Sequence, residues 1–249
     1  MNDKEQNILD FLISSNTVVP VKTIAKNLYL SEPTARRYIA SLSKQGLIVR
    51  THGGALANYN NMTNKSIPFY LRTSTNPKEK NEIAKKAAEL IKNGSTIFLD
   101  ASSTAFHLLP YLNKFRDIIV CTNGLKTAIS LAELNIKTIC LGGYVNFSNL
   151  ACNSQETFSM IENFNADLFF FSCDALDENG VISDKSSESS YLRSCFLKYA
   201  KKNVLLVDSS KLNKKCWHTL CNLSDIDYCF CDKELPAELV GKLKSKQNQ

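Results

Sequence analysis

The residues best suited to chemistry with a polyanion stand together between Ser31 and His52. Arg36 and Arg37 each bring a planar, permanently charged fork of N–H donors that matches a phosphate or the edge of a guanine. Thr34, Ser41 and Lys44 recur with Arg37 at helical spacing, so one face would carry all four, with Arg36 on its shoulder. Arg50 and His52 follow a few residues later, within reach of neighbouring phosphates. A pair of arginines on a helix is ordinarily a solvated face, so the setting has to decide its meaning.

That setting is specific. Val21 to Leu28 reads as a short amphipathic helix with Ile24, Ala25 and Leu28 on one side. Tyr29 and Leu30 make a turn, Ser31 is placed to cap the next helix, and Pro33 is tolerated in its first turn. Ala35, Ile39 and Leu42 then form one buried stripe, and Gly46 stands where a left-handed stop is wanted. Upstream, Asp3 to Ser14 predicts a helix with Ile8, Leu9, Leu12 and Ile13 inward, and Val18 and Val19 a short strand. Downstream, Leu47 to Thr51 reads as a strand, His52-Gly53-Gly54 as a turn and Ala55 to Ala57 as a returning strand, which together make a wing. A helix, tight turn and cation-bearing second helix is the arrangement that enters the major groove of double-stranded DNA. Residues 1–57 are therefore expected to be a winged helix-turn-helix DNA-binding domain.

The composition changes over Asn58 to Asn64, a polar, turn-prone run read as part of a linker spanning 58–75. Asn76 is expected to cap a helix that has Pro77 in its first turn and Ile83, Ala84, Ala87, Ala88, Leu90 and Ile91 on its apolar face. Strand-like runs follow at Thr96–Asp100, Ile118–Thr122, Lys137–Leu141, Asp167–Cys173, Val204–Asp208 and Tyr228–Cys231. Helical segments alternate with them at Thr104–Leu112, Leu125–Leu134, Gln155–Phe164 and Ser187–Ala200, with a last helix at Ala237–Lys244. This alternation predicts a mostly parallel α/β sheet for residues 76–249. Polar groups gather where these strands end, at Asp100, Ser102, Ser103, Thr104, Asn123, Gly142, Gly143, Asp174 and Lys211, the rim at which open α/β sheets hold ligands. Each alone would be an ordinary turn or cap; together they predict a pocket. The hydroxyls after Asp100 open a helix and would meet an anion at its positive end.

The chain has 249 residues, 44% hydrophobic and 22% charged, which suits one large or two modest globular domains. Its formal net charge is +6, and the first 58 residues hold seven Lys or Arg against four acids, so about half the excess lies in less than a quarter of the chain. Nine cysteines, without a Cys-x-x-Cys pair or a leader segment, predict reduced thiols in the cytoplasm and no metal site. Cys229 and Cys231 alternate with aromatic residues as small buried hydrophobes. No apolar run approaches the ~18 residues of a membrane span, so no membrane partner is expected.

Ser31, Thr34, Arg36, Arg37, Leu42, Gly46, Leu47, Arg50, His52, Gly53, Gly54 and Ala55, in that order, resemble the signature of the DeoR-type bacterial transcription regulators. The resemblance continues through Pro68-Phe69, Arg72, Asp100 to Thr104, Thr122-Asn123, Gly142-Gly143, Glu188 and Asp208 to Lys211. It implies a sensor domain on the scaffold of sugar-phosphate isomerases and CoA transferases, with Glu188 joining the effector-binding set and Ser102, Ser103, Thr104 and Lys211 as phosphate partners. The implied protein is a homo-oligomer, dimer or tetramer, that represses carbohydrate-metabolism genes and is released by a phosphorylated sugar or related metabolite, with no cofactor and no catalysis.

Several positions depart from the family pattern. Tyr38 replaces an aspartate after the arginine pair, so an arginine loses its carboxylate partner while Tyr38 joins the DNA-facing set. Asn146 and Leu192 stand where an arginine and a lysine are usual, Asn153 where a glycine is, and Ser172-Cys173-Asp174-Ala175 replaces a Gly-Ala-Asp-Gly-like turn. Two lost cations would remove charge-assisted hydrogen bonds worth roughly 1.5–3 kcal/mol each, which predicts an atypical or weakly held ligand. Two other functions fit less of the chain. One is an isomerase using Asp174 or Glu188 as base, with His107 nearby; the other is a second domain that only oligomerises.

Overall fold

Apolar spacing explains the first part of the chain directly. The computed structural model describes residues 3–15, 18–57, 69–146 and 149–244, and the chain divides into two compact units, Met1–Thr75 and Asn76–Gln249. In the first, α1 (Asp3–Ser15), β1 (Val19–Pro20), α2 (Val21–Asn27), α3 (Glu32–Lys44), β2 (Ile48–Thr51) and β3 (Gly54–Ala57) follow one another. Ile8, Leu9, Leu12 and Ile13 of α1 pack with Ile24 of α2 and with Ala35, Ile39 and Leu42 of α3. The strands form an antiparallel sheet in the order β1-β3-β2. Gly54 permits this closeness, since a Cβ there would lie 2.6 Å from the Val19 carbonyl oxygen. Gly46 takes φ +72° just beyond α3, as its position predicts. The polar run 58–64 lies outside the described residues, while Phe69–Ser74, within the stretch read as linker, forms a short helix, α4.

The second unit opens with α5 (Pro77–Ala87), then β4 (Thr96–Leu99), α6 (Ser103–Phe106), α7 (Leu109–Leu112), β5 (Ile119–Thr122), α8 (Leu125–Glu133) and β6 (Lys137–Cys140). It continues with β7 (Val145–Asn146), β8 (Ala151–Cys152), α9 (Gln155–Ile161), β9 (Ala166–Phe171), β10 (Ala175–Leu176), β11 (Val181–Asp184) and α10 (Ser187–Tyr199). It ends with β12 (Ala200–Leu206), β13 (His218–Asn222), β14 (Tyr228–Phe230) and α11 (Ala237–Val240). The predicted strands assemble into one six-stranded sheet ordered β14-β12-β9-β4-β5-β6, parallel throughout. Numbered along the chain, that order is 6-5-4-1-2-3, the doubly wound arrangement whose direction of winding reverses between β4 and β9.

Both faces of the sheet are buried, which is why its strands are apolar runs with little alternation. Phe98, Phe169 and Phe171 meet Phe196 of α10 and Ile161 of α9 on one face, where the Phe169 and Phe171 rings stack with centroids 4.8 Å apart. Ile97, Leu99, Phe170 and Leu206 face Ile83 and Ala84 of α5 and Leu109 of α7 on the other.

The structure also departs from the sequence reading. The helix expected over Thr104–Leu112 breaks into α6 and α7, because Pro110 has no N–H to give the Phe106 carbonyl and its ring crowds that turn. Asn76 does not cap α5: it adopts φ +50° and makes no side-chain cap bond. The hairpin β7–β8 and the antiparallel sheet β10-β11-β13 have no counterpart in the predicted elements.

At Gly143, φ is +131° and a Cβ would fall 2.4 Å from both Ser154 Oγ and Thr157 Oγ1. Gly143→Ala is therefore expected to destabilise the chain by about 1–3 kcal/mol in urea unfolding. Gly142→Ala, whose Cβ meets only Met160 Sδ at 3.9 Å, should cost no more than about 0.5 kcal/mol.

Candidate nucleic-acid interface and ligand crevice

Helix α3 begins at a working cap: Ser31 is extended and its Oγ accepts the Thr34 N–H at 3.3 Å, while donating to Thr34 Oγ1 at 2.8 Å. Arg36, Arg37 and Lys44 are all exposed. Arg36 stands 3.7 Å from Glu32 one turn back, an exposed pair that costs little to exchange for a phosphate. The Arg37 guanidinium lies over the Tyr38 ring, 5.1 Å from its centroid, and reaches the phenol oxygen at 3.5 Å. The lost carboxylate is thus replaced by an aromatic face that steadies the arginine without neutralising it. Ser41 Oγ accepts from Gln45 at 3.3 Å. Arg50 is exposed on β2 and His52 is exposed in the turn, which is tied to α2 by the Val21 N–H donating to the Gly53 carbonyl at 2.9 Å.

In the second unit the polar residues gather at the carboxyl ends of β4 and β9, where the winding reverses. Asp100 is almost fully buried; its carboxylate accepts the Ser102 N–H at 3.0 Å and the Arg193 Nε at 2.8 Å. The other arm of Arg193 reaches Asp184 at 2.7 Å, so one guanidinium from α10 bridges two buried carboxylates. Burial pushes Asp184 up from the ordinary carboxylate range even with that arginine beside it. Lys80 of α5, only 4% exposed, donates to Ser103 Oγ at 3.3 Å. Lys211 donates to Ser172 Oγ at 2.9 Å and lies 3.8 Å from Asp208. Burial alone would raise Asp208, but Lys211, Ser210, Lys80 and Asn76 outweigh it and hold the carboxyl below its usual range. Thr104 Oγ1 is buried with no hydrogen-bond partner among the described residues.

Around this centre Asn123 acts as a strut. Its Oδ1 accepts the Ala101 N–H at 3.1 Å, and its Nδ2 donates to the Cys152 carbonyl at 3.1 Å and to Asn153 Oδ1 at 2.9 Å. Asn153 passes the chain on to Ser189 at 3.3 Å, so the residue standing where the family has a glycine links β8 to the start of α10. Gly142 and Gly143 are exposed; the Gly142 carbonyl accepts from Thr157 at 2.7 Å, and Gly143 is accounted for by packing. Asp174 accepts the Lys185 N–H at 3.0 Å while its own N–H donates to Asp184 at 3.0 Å. Burial of its inner edge would raise Asp174, but the Lys185 amide and the Arg193, Lys211 and Lys185 charges hold it below the usual range. Glu188 is exposed at the first turn of α10 and kept low by its own backbone amide and by Ser186, whose Oγ donates to it at 2.8 Å.

The sequence reading missed Lys80, Asp184 and Arg193. Two of them are cations: Lys80 lies on Ser103, and Arg193 is engaged by Asp100 and Asp184, while Asn146 and Leu192 still carry no charge. Lys80 carried a signal: it falls at i with Ile83, Ala84 and Ala87 at i+3, i+4 and i+7, on the buried stripe of α5. Helix α6 has only four residues, too few for an appreciable macrodipole, so charge here comes from side chains.

A winged helix-turn-helix with exposed arginines, joined to a doubly wound α/β unit with a polar cluster at its switch point, is the build of a DNA-binding transcriptional regulator. Residues 5–61 match the DeoR-like helix-turn-helix domain and residues 75–233 the DeoR C terminal sensor domain. The HTH-type transcriptional regulator GolR of Listeria innocua is 32% identical, covering 97% of this chain and 94% of that protein. The L-fucose operon activator of Escherichia coli K12 is 30% identical over 92% of this chain and 94% of its own length. The chain belongs to the DeoR family of transcriptional regulators. Among solved structures, ribose 5-phosphate isomerase of Methanocaldococcus jannaschii overlaps 55% of each chain at 19% identity and a TM-score of 0.42, too slight a likeness to bear on the site. No described helix is long and apolar enough to cross a membrane.

Removing Arg193 would leave two buried carboxylates facing one another. Arg193→Met is expected to cost about 3–5 kcal/mol near neutral pH. Because the raised Asp184 takes up a proton more readily folded than unfolded, the deficit should shrink as pH falls. Urea unfolding at pH 7.5 and 5 checks this, and adding Asp184→Asn should recover part of the loss at pH 7.5.

Proposed function

We propose that the protein is a carbohydrate-responsive repressor. Residues 1–57 would grip operator DNA, 58–75 connect, and 76–249 bind a phosphorylated sugar or related metabolite and hold the protein as a homo-oligomeric dimer or tetramer in the cytoplasm. The observation that carries the DNA reading is the pair of exposed guanidiniums on the capped helix α3. On this reading Arg36 and Arg37 contact bases or adjacent phosphates, and Thr34, Ser41, Lys44 and Tyr38 line the same face. Ser31 sets the start of the helix, and Arg50 with His52 engages the backbone from the wing. Two half-sites, one or a few helical turns apart, would suit a symmetric oligomer. Regulation of sugar genes is supported by the fucose-operon relative, and repression is the simplest consequence of operator occupancy.

The effector reading rests on the crevice at the switch point, where Lys80 and Lys211 approach serine hydroxyls beside the orphan Thr104 hydroxyl. A phosphate oxygen outcompetes a neutral hydroxyl for an ammonium donor. The same geometry speaks against catalysis: the carboxylates of Asp174 and Glu188 are both engaged by local donors and held low, which makes them poor bases.

Arg37→Ala is expected to weaken operator binding and lower the slope of log affinity against log salt by about one unit. Gel-shift titrations on DNA selected by the wild-type protein measure both, and unchanged binding would refute the assignment. For the effector, a hexose or pentose monophosphate should raise the melting temperature of the wild type but not of Lys211→Ala.

A further inference from the structure

Asn76 occupies the position from which an asparagine normally caps its own helix, yet its amide donates to Asp208, 132 residues away, at 3.3 Å. It does so from a left-handed conformation, φ +50° and ψ +48°, and it is the first residue of the second unit. Its carbonyl accepts the backbone N–H of Lys80 at 3.1 Å, so Asn76 and Lys80 are locked in the first turn of α5. Asp208 is the shared node. It holds Asn76, it lies beside Lys211, and it is under the field of Lys80, whose ammonium donates to Ser103 Oγ.

We propose that Lys80 binds the anionic group of the ligand, and that Asp208 and Asn76 convert its capture into a displacement at the Thr75–Asn76 junction. An anion drawing Lys211 to itself takes from Asp208 its ion-pair partner at 3.8 Å. The carboxylate then answers to a changed set of partners, among them the asparagine that begins α5. The signal leaves the crevice through one helical turn and one side-chain hydrogen bond. This inference rests on the crevice being a phosphate sensor, and its test separates the two.

The test uses the full chain, a panel of inorganic phosphate with hexose and pentose monophosphates, and DNA selected by the unliganded protein. Ligand affinity is read by calorimetry and the ligand's effect on DNA affinity by fluorescence anisotropy. Lys80→Gln is expected to weaken ligand binding about tenfold or more, as for loss of a charged hydrogen bond, with Lys80→Arg recovering much of it. Asn76→Gly keeps the left-handed backbone and should bind the ligand within about twofold of wild type, while losing most of the ligand's effect on DNA. Asn76→Asp, which sets a second carboxylate against Asp208, should shift DNA affinity towards the liganded value without ligand. Full ligand affinity in Lys80→Gln, or an undiminished DNA response in Asn76→Gly, overturns the inference and leaves the sensor standing. A wild type indifferent to the whole panel removes the sensor reading and this inference with it.

Discussion

The second unit depends on one guanidinium in a place where water cannot replace it. Arg193 is held between Asp100 and Asp184, and those three groups come from the end of β4, the end of β11 and the middle of α10. A charge triad of this kind gains little net stability over an apolar filling, but it does not tolerate the loss of a member. Its effect is geometric. Asp100 is fixed, and through it the Ser102 amide, so the turn that carries Ser102, Ser103 and Thr104 is set before any ligand arrives. The small antiparallel sheet exists partly for this, since β11 delivers Asp184 from outside the main sheet.

The winding reversal between β4 and β9 supplies the other constraint. Chains leaving these two strands diverge to opposite faces, the point at which sheets of this kind commonly hold ligands. The groups that border it come from far apart in sequence: Lys80 from α5, the serines after β4, Ser172 after β9 and Lys211 after β12. Apolar burial of both sheet faces holds the strand ends in register, with the stacked phenylalanines on one side and α5 on the other.

Much of this was legible in the sequence because it is local. The Ser31 cap, the Ala35–Ile39–Leu42 stripe, the Gly46 stop and the glycine wing are set by residues a few positions apart, and the structure places them as spacing predicts. The six main strands were equally plain, being short apolar runs between helices. What escaped was set by partners far away or by very short elements. Strands of two residues, as in β7, β8 and β10, have no periodicity to read. Arg193 looks like an ordinary helix arginine until Asp184 is known to sit on a strand beside it. Asn76 reads as a cap because a cap is a local rule, and Asp208 is a distant competitor for its amide. Lys80 alone leaves a local mark: a lysine on the apolar stripe of α5 is costly to bury unless it is hydrogen-bonded.

The ring of Tyr38 beneath Arg37 has a consequence at long range. A carboxylate at that position would cancel one positive charge next to the cationic face of α3, whereas a phenol leaves the field intact. The helix therefore projects a stronger attraction over roughly a Debye length, about 8–10 Å in physiological salt. Encounter with any duplex is quickened, and travel along it by sliding and hopping is favoured. More of the discrimination between sites must then come from how quickly the protein lets go of the wrong ones.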